Sequence, residues 1–74
     1  MAFGSLTSYR KDVTTSGTPP KAVIPQSEHR LEQVNFVGTM VLGTSPTPVS
    51  VRILENGDVE IYTEATATVR VVIS

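Results

Sequence analysis

The segment from Val49 to Thr63 constrains the fold more than any other, because it reads as two antiparallel strands turning at Asn56-Gly57. Two registers are open to it. A two-residue type I′ turn would set Leu54 opposite Val59 and Ile53 opposite Glu60, mixing polar with apolar on both faces. A three-residue loop, Glu55-Asn56-Gly57, with Gly57 left-handed in a G1 bulge, moves the pairing by one position. Ile53 then meets Val59 and Val51 meets Ile61 on one face, while Arg52 meets Glu60 on the other. Each matched cross-strand pair is worth about 0.2–1 kcal/mol, so the bulged register is expected.

Strand patterns flank the hairpin on both sides. From Val34 to Leu42 the side chains alternate, with Val34, Phe36, Gly38, Met40 and Leu42 on one face and Asn35, Val37, Thr39 and Val41 on the other. Both faces carry apolar residues, which predicts a strand that is central or covered on both sides. Gly38 predicts a bulge or a close backbone approach. Pro46 and Pro48 end the strand, since proline cannot donate to a ladder. In the last segment Ala65, Ala67, Val69, Val71 and Ile73 point one way and Thr66, Thr68, Arg70 and Val72 the other. Its small alanines imply a close approach at that end, and its valine-rich terminus is expected to lie at a sheet edge. Valine, isoleucine and threonine supply 25 of the 74 residues against four leucines, so the fold class is mainly β.

The chain divides by apolar content. Residues 1–30 carry nine apolar side chains and residues 31–74 carry twenty. The first part is rich in hydroxyls and holds Pro19-Pro20, which forbids helix and biases the chain toward extended geometry. Two readings are open to it: a disordered tail, or an extended arm, 1–30, lying on a neighbouring subunit through Phe3, Leu6, Tyr9 and Ile24, which its regularly placed apolar residues favour. The second part, 31–74, is read as a small antiparallel meander. Ser27–Gln33 is the one stretch suited to a short helix, with Ser27 as N-cap and Glu28 in the first turn.

A meander of three strands has an apolar face and little of its own to cover it. A chain of this length buries only about 60% of its unfolded surface. Without cysteine, disulfides and thiolate metal sites are both excluded. The sandwich is therefore expected to be completed by oligomerisation or by a protein partner, with Val69, Val71 and Ile73 on the terminal edge as further contacts. No cofactor is expected.

Chemistry is sparse. His29 is the single histidine, so a histidine metal cluster is impossible, and within Glu28-His29-Arg30 it is expected on the surface. No nucleophile–base pair can be written from the sequence, and Gly43-Thr-Ser-Pro46 lacks the lysine and helix of a phosphate loop. The formal net charge is −1 with mixed signs, which excludes a basic stripe for nucleic acid. No apolar run approaches the roughly 20 residues that span a bilayer. The N-terminus lacks the charged start and apolar block of a signal peptide. The expectation is a protein made in the cytoplasm without export, with neither nucleic acid nor membrane as partner. Tyr62, on the face of Arg52 and Glu60, marks a possible ligand surface.

Asp12-Val-Thr-Thr-Ser-Gly-Thr-Pro19 with Ile24-Pro25 resembles a turn and strand near the start of small tailed-bacteriophage structural proteins. The hairpin Val51–Tyr62 is similar to those of phage fibre and decoration modules. The resemblance implies a virion location and a capsid decoration (cement) role, with an N-terminal arm gripping a shell. Its alternative is a receptor- or glycan-binding module of a tail fibre or baseplate, using Arg52, Glu60 and Tyr62.

Overall fold

A computed structural model describes residues 8–74. Six strands form two three-stranded antiparallel sheets that share one buried apolar cluster. Strands β1 (Tyr9–Thr14), β6 (Thr68–Ile73) and β3 (Val37–Leu42) form the first sheet in that order. Strands β2 (Lys21–Ile24), β5 (Val59–Thr63) and β4 (Val49–Ile53) form the second. The two central strands, β5 and β6, follow one another in the chain and supply the fully buried Val59, Ile61, Val69, Val71 and Ile73. Val13 from β1 and Ile24 from β2 complete the cluster, with Leu31.

The hairpin keeps the bulged register. Ile53 pairs with Val59, Arg52 with Glu60 and Val51 with Ile61, and Leu54 donates to the Asp58 carbonyl at 2.9 Å. Gly57 takes φ +96°, the left-handed value the three-residue loop requires.

Over the described residues, the segment read as an arm is instead part of the two sheets. Residues 9–14 and 21–24 are strands of the two sheets, and Val13 and Ile24 lie in the same interior as the central strands. Their segments are poor in apolar residues because both strands are edges. An edge strand exposes most of its side chains, so Arg10, Lys11 and Asp12 suit it. The layer assigned to a partner thus comes from the same chain. The meander is also replaced: β3 pairs with β6, and β4 pairs only with β5.

The terminal strand is not an edge either. β6 lies between β1 and β3, and Ser74 exchanges backbone bonds with Phe36 at 2.8 and 2.9 Å. Strand β3, expected to be central or covered on both sides, is instead an edge that turns Val37 and Val41 to the core and Met40 to solvent. At Gly38 the ladder runs unbroken from Val37↔Ile73 to Leu42↔Thr68, so there is no bulge. The Phe36 ring lies over it instead, and a Cβ there would sit 3.0 Å from Phe36 Cε2.

Each end of the two-layer body has its own closure. At one end a single helical turn, α1 (Gln26–His29), starts from Pro25, so Ser27 is not its cap. The Asp58 carboxylate of the hairpin turn caps it from afar, accepting from the Gln26 N–H at 2.8 Å. His29 is fully buried rather than exposed. Its Nε2 bonds the Gly57 carbonyl at 2.7 Å and its Nδ1 accepts from the Leu31 N–H at 3.0 Å. That arrangement fixes the neutral Nε2–H tautomer. Arg30, at φ 58°, turns the chain out of the helix. At the opposite end Thr15 is fully buried, with its hydroxyl 2.6 Å from that of Thr63 and accepting from the Ala67 N–H at 3.0 Å. This is the close approach that the small side chain at Ala67 permits.

Candidate functional site

Two outer surfaces carry the side chains available to a partner. The first is the outer face of the second sheet. The registers Arg52↔Glu60 and Lys21↔Tyr62 bring Lys21, Arg52, Glu60 and Tyr62 together. The Glu60 carboxylate lies 3.0 Å from Lys21 Nζ and 3.9 Å from Arg52 NH1, and it accepts from the Tyr62 hydroxyl at 3.0 Å. Lys21 Nζ also sits 5.7 Å from the centre of the Tyr62 ring. The Lys21 hydrogen bond, followed by that of Tyr62, holds the Glu60 carboxyl below the usual range. Lys21 is raised in turn, chiefly by its bond to Glu60. A carboxylate that is 7% exposed and already holds three partners is an ionised structural knot. It is badly placed to act as a general acid or base, and no nucleophile stands beside it.

The cluster joins the three residues picked from the sequence and adds Lys21, which sequence reasoning missed. Lys21 lies across from Tyr62 on β2, a strand that only the resemblance at Ile24-Pro25 had implied.

The second surface is the outer face and free edge of β3. Phe36 is 59% exposed and Met40 52% exposed. No strand pairs with this edge among the described residues. Beside it on the same face, Arg70 makes two bonds to the Asp12 carboxylate, at 3.0 and 3.3 Å, and the Thr14 and Thr68 hydroxyls meet at 3.1 Å. The Arg70 bond holds the Asp12 carboxyl low. The face is therefore a charged half along β1 and β6 and an apolar half along β3. The signal for it was present in the sequence: no charged residue occurs between Glu32 and Arg52.

The interface residues expected from the sequence fare differently. Phe3 and Leu6 lie outside the described residues. Tyr9 is half-buried, and its hydroxyl donates to Glu28, which also pairs with Lys11 at 2.8 Å. Ile24, Val69, Val71 and Ile73 are fully buried within the chain's own core, so they offer no surface to a partner.

Among the described residues no group of three or more His, Asp or Glu side chains is placed to hold a metal, and no helix is long and apolar enough to cross a membrane. The chain matches no protein-family model, no curated protein and no solved structure.

Proposed function

We propose that this chain is a non-enzymatic structural protein, a capsid decoration or cement subunit of a virion that joins a larger protein assembly through its edge strands. The observation that carries the reading is the β3 edge, where an uncharged strand bonded on one side only among the described residues presents Met40 to solvent, with Phe36 exposed just before it. A small domain that leaves two large apolar side chains beside a free edge is built to be covered. The groups that chemistry would need are otherwise engaged: both ring nitrogens of His29 are bonded and the Glu60 carboxylate is enclosed. The receptor- or glycan-binding reading has less support, because the Tyr62 hydroxyl and the Glu60 carboxylate are bonded to each other.

The test is to fractionate lysates of cells that make the protein on a density gradient and follow the chain by mass spectrometry. The reading expects it in the particle fraction at a fixed ratio to the shell protein, and it expects the pair F36S/M40S to release it. A chain that stays with free small proteins in every gradient overturns the reading.

A further inference from the structure

Four edges border the two sheets, and they differ in how they are guarded. The β1 edge carries Arg10, Lys11 and Asp12. β2 is four residues long and lies between Pro20 and Pro25. β4 begins after Pro48 and carries Arg52. β3, Val-Gly-Thr-Met-Val-Leu, has no charge, no proline and no bulge. Natural sheets use those devices to stop edge pairing, and β3 uses none among the described residues.

Its backbone shows what would fit. Phe36 and Ser74 exchange both their backbone bonds, so by the antiparallel alternation Gly38, Met40 and Leu42 also point their N–H and C=O groups at β6. The groups of Val37, Thr39 and Val41 therefore point outward along the open edge. Side chains must also match faces across any new pair, which requires odd-numbered residues to meet odd-numbered ones. One self-pairing satisfies both conditions over the whole strand: Thr39 opposite Thr39, Val37 opposite Val41, Gly38 opposite Met40 and Phe36 opposite Leu42.

Resting on the assembly reading above, we infer that the occupant of this edge is a second copy of the chain, paired antiparallel about a two-fold axis at Thr39. The pairs Val37–Val41, Thr39–Thr39 and Val41–Val37 are all of the doubly bonded kind, giving six backbone hydrogen bonds. The two sheets become one of six strands. On its outer face Phe36, Met40 and Leu42 of both copies form a single apolar stripe. No charge lies on either edge, so like meets like across the axis without repulsion. The β1 edge fails this requirement, because its outward-pointing backbone groups belong to Arg10, Asp12 and Thr14 and the same symmetry would set Asp12 against Asp12. The contact is isologous, as in most closed dimers.

Thr39→Pro tests this without touching the fold. The Thr39 N–H makes no bond to β6, so proline at this edge position removes only outward bonding. Thr39→Lys is the second variant, adding a charge at the axis while keeping the backbone intact. Sedimentation velocity across a wide concentration range should show a wild-type species of twice 8.0 kDa. Either variant, folded by circular dichroism, should weaken it at least about tenfold. A dimer that neither variant weakens overturns the inference. So does a wild-type chain that stays a monomer throughout, or a monomer whose β3 edge becomes exposed only on deleting residues 2–7, which would assign the edge to the chain's own N-terminal segment. None of these outcomes bears on whether the chain sediments with particles, so the two readings fail separately.

Discussion

Replacing His29 by alanine should destabilise the fold far more than the loss of a loop side chain. The ring is fully buried and holds two elements together: Nε2–H donates to the Gly57 carbonyl of the hairpin turn, and Nδ1 accepts from the Leu31 N–H. His29→Ala leaves a buried N–H without a partner, which costs about 1–3 kcal/mol. It loses the net value of a second bond, about 0.5–1.5 kcal/mol, at a carbonyl that water can partly reach. It also opens a void where the buried ring stood, adding on the order of 1 kcal/mol. The total is about 3 kcal/mol or more, against about 4–11 kcal/mol for a whole domain of this length. At about 4–8 °C per kcal/mol the melting temperature should fall by at least about 12 °C. Thermal and urea unfolding followed by circular dichroism would measure it, with His29→Gln, able to keep one of the two bonds, expected in between. A loss within about 0.5 kcal/mol, as for an ordinary surface substitution, would refute the reasoning and return His29 to the solvent.

Gly57→Ala should destabilise by about 1–2 kcal/mol through its left-handed φ alone, and by more if Gln26 cannot move, since the new Cβ would lie 2.7 Å from Gln26 Cγ; urea midpoints give the value. Thr15→Val should cost about 1–3 kcal/mol by leaving the Ala67 N–H and the Thr63 hydroxyl unpaired, and the double change T15V/T63V should cost less than the sum of the single ones. The Glu28, Glu60 and Asp12 carboxyls are all held low, chiefly by Lys11, Lys21 and Arg70. Groups with lowered folded-state values add stability that is fully present above the ordinary carboxylate range and is lost as pH falls below about 4 through the folded values. Melting temperatures should therefore be level from neutral pH to about 5 and drop steeply below 4, with a shallower drop in Glu60→Gln; an unchanged slope in that variant would remove Glu60 from the account.

What the sequence revealed depended on where the stabilising contacts lie along the chain. The β4–β5 register was readable because Val51, Ile53, Val59 and Ile61 state their pairing across a three-residue loop. The inward face of β6 was readable because Val69, Val71 and Ile73 alternate cleanly. The strand β1 was not, and β2 was implied only by a resemblance, since an edge strand shows few apolar residues and its partners lie far away. Val13 meets Val69 and Ile24 meets Val59. The cap of α1 and the burial of His29 were misread for the same reason. The Asp58 cap and the Gly57 carbonyl are 32 and 28 residues distant, and nothing local to Glu28-His29-Arg30 announces burial. At the candidate site, Arg52, Glu60 and Tyr62 were found because they share one hairpin face, whereas Lys21 comes from β2, whose pairing with β5 the sequence did not show. The exposed side of β3 was hidden by its own apolarity: two apolar faces read as double burial, when one of them faces solvent.

The most direct measurement of the assembly claim is hydrogen–deuterium exchange at the Val37, Thr39 and Val41 amides, comparing the dilute free chain with the chain in purified particles. The account predicts rapid exchange at all three when free and strong protection when assembled, while the Val69 and Val71 amides inside the sheet stay protected in both. Equal, rapid exchange of the three edge amides in both states would contradict it.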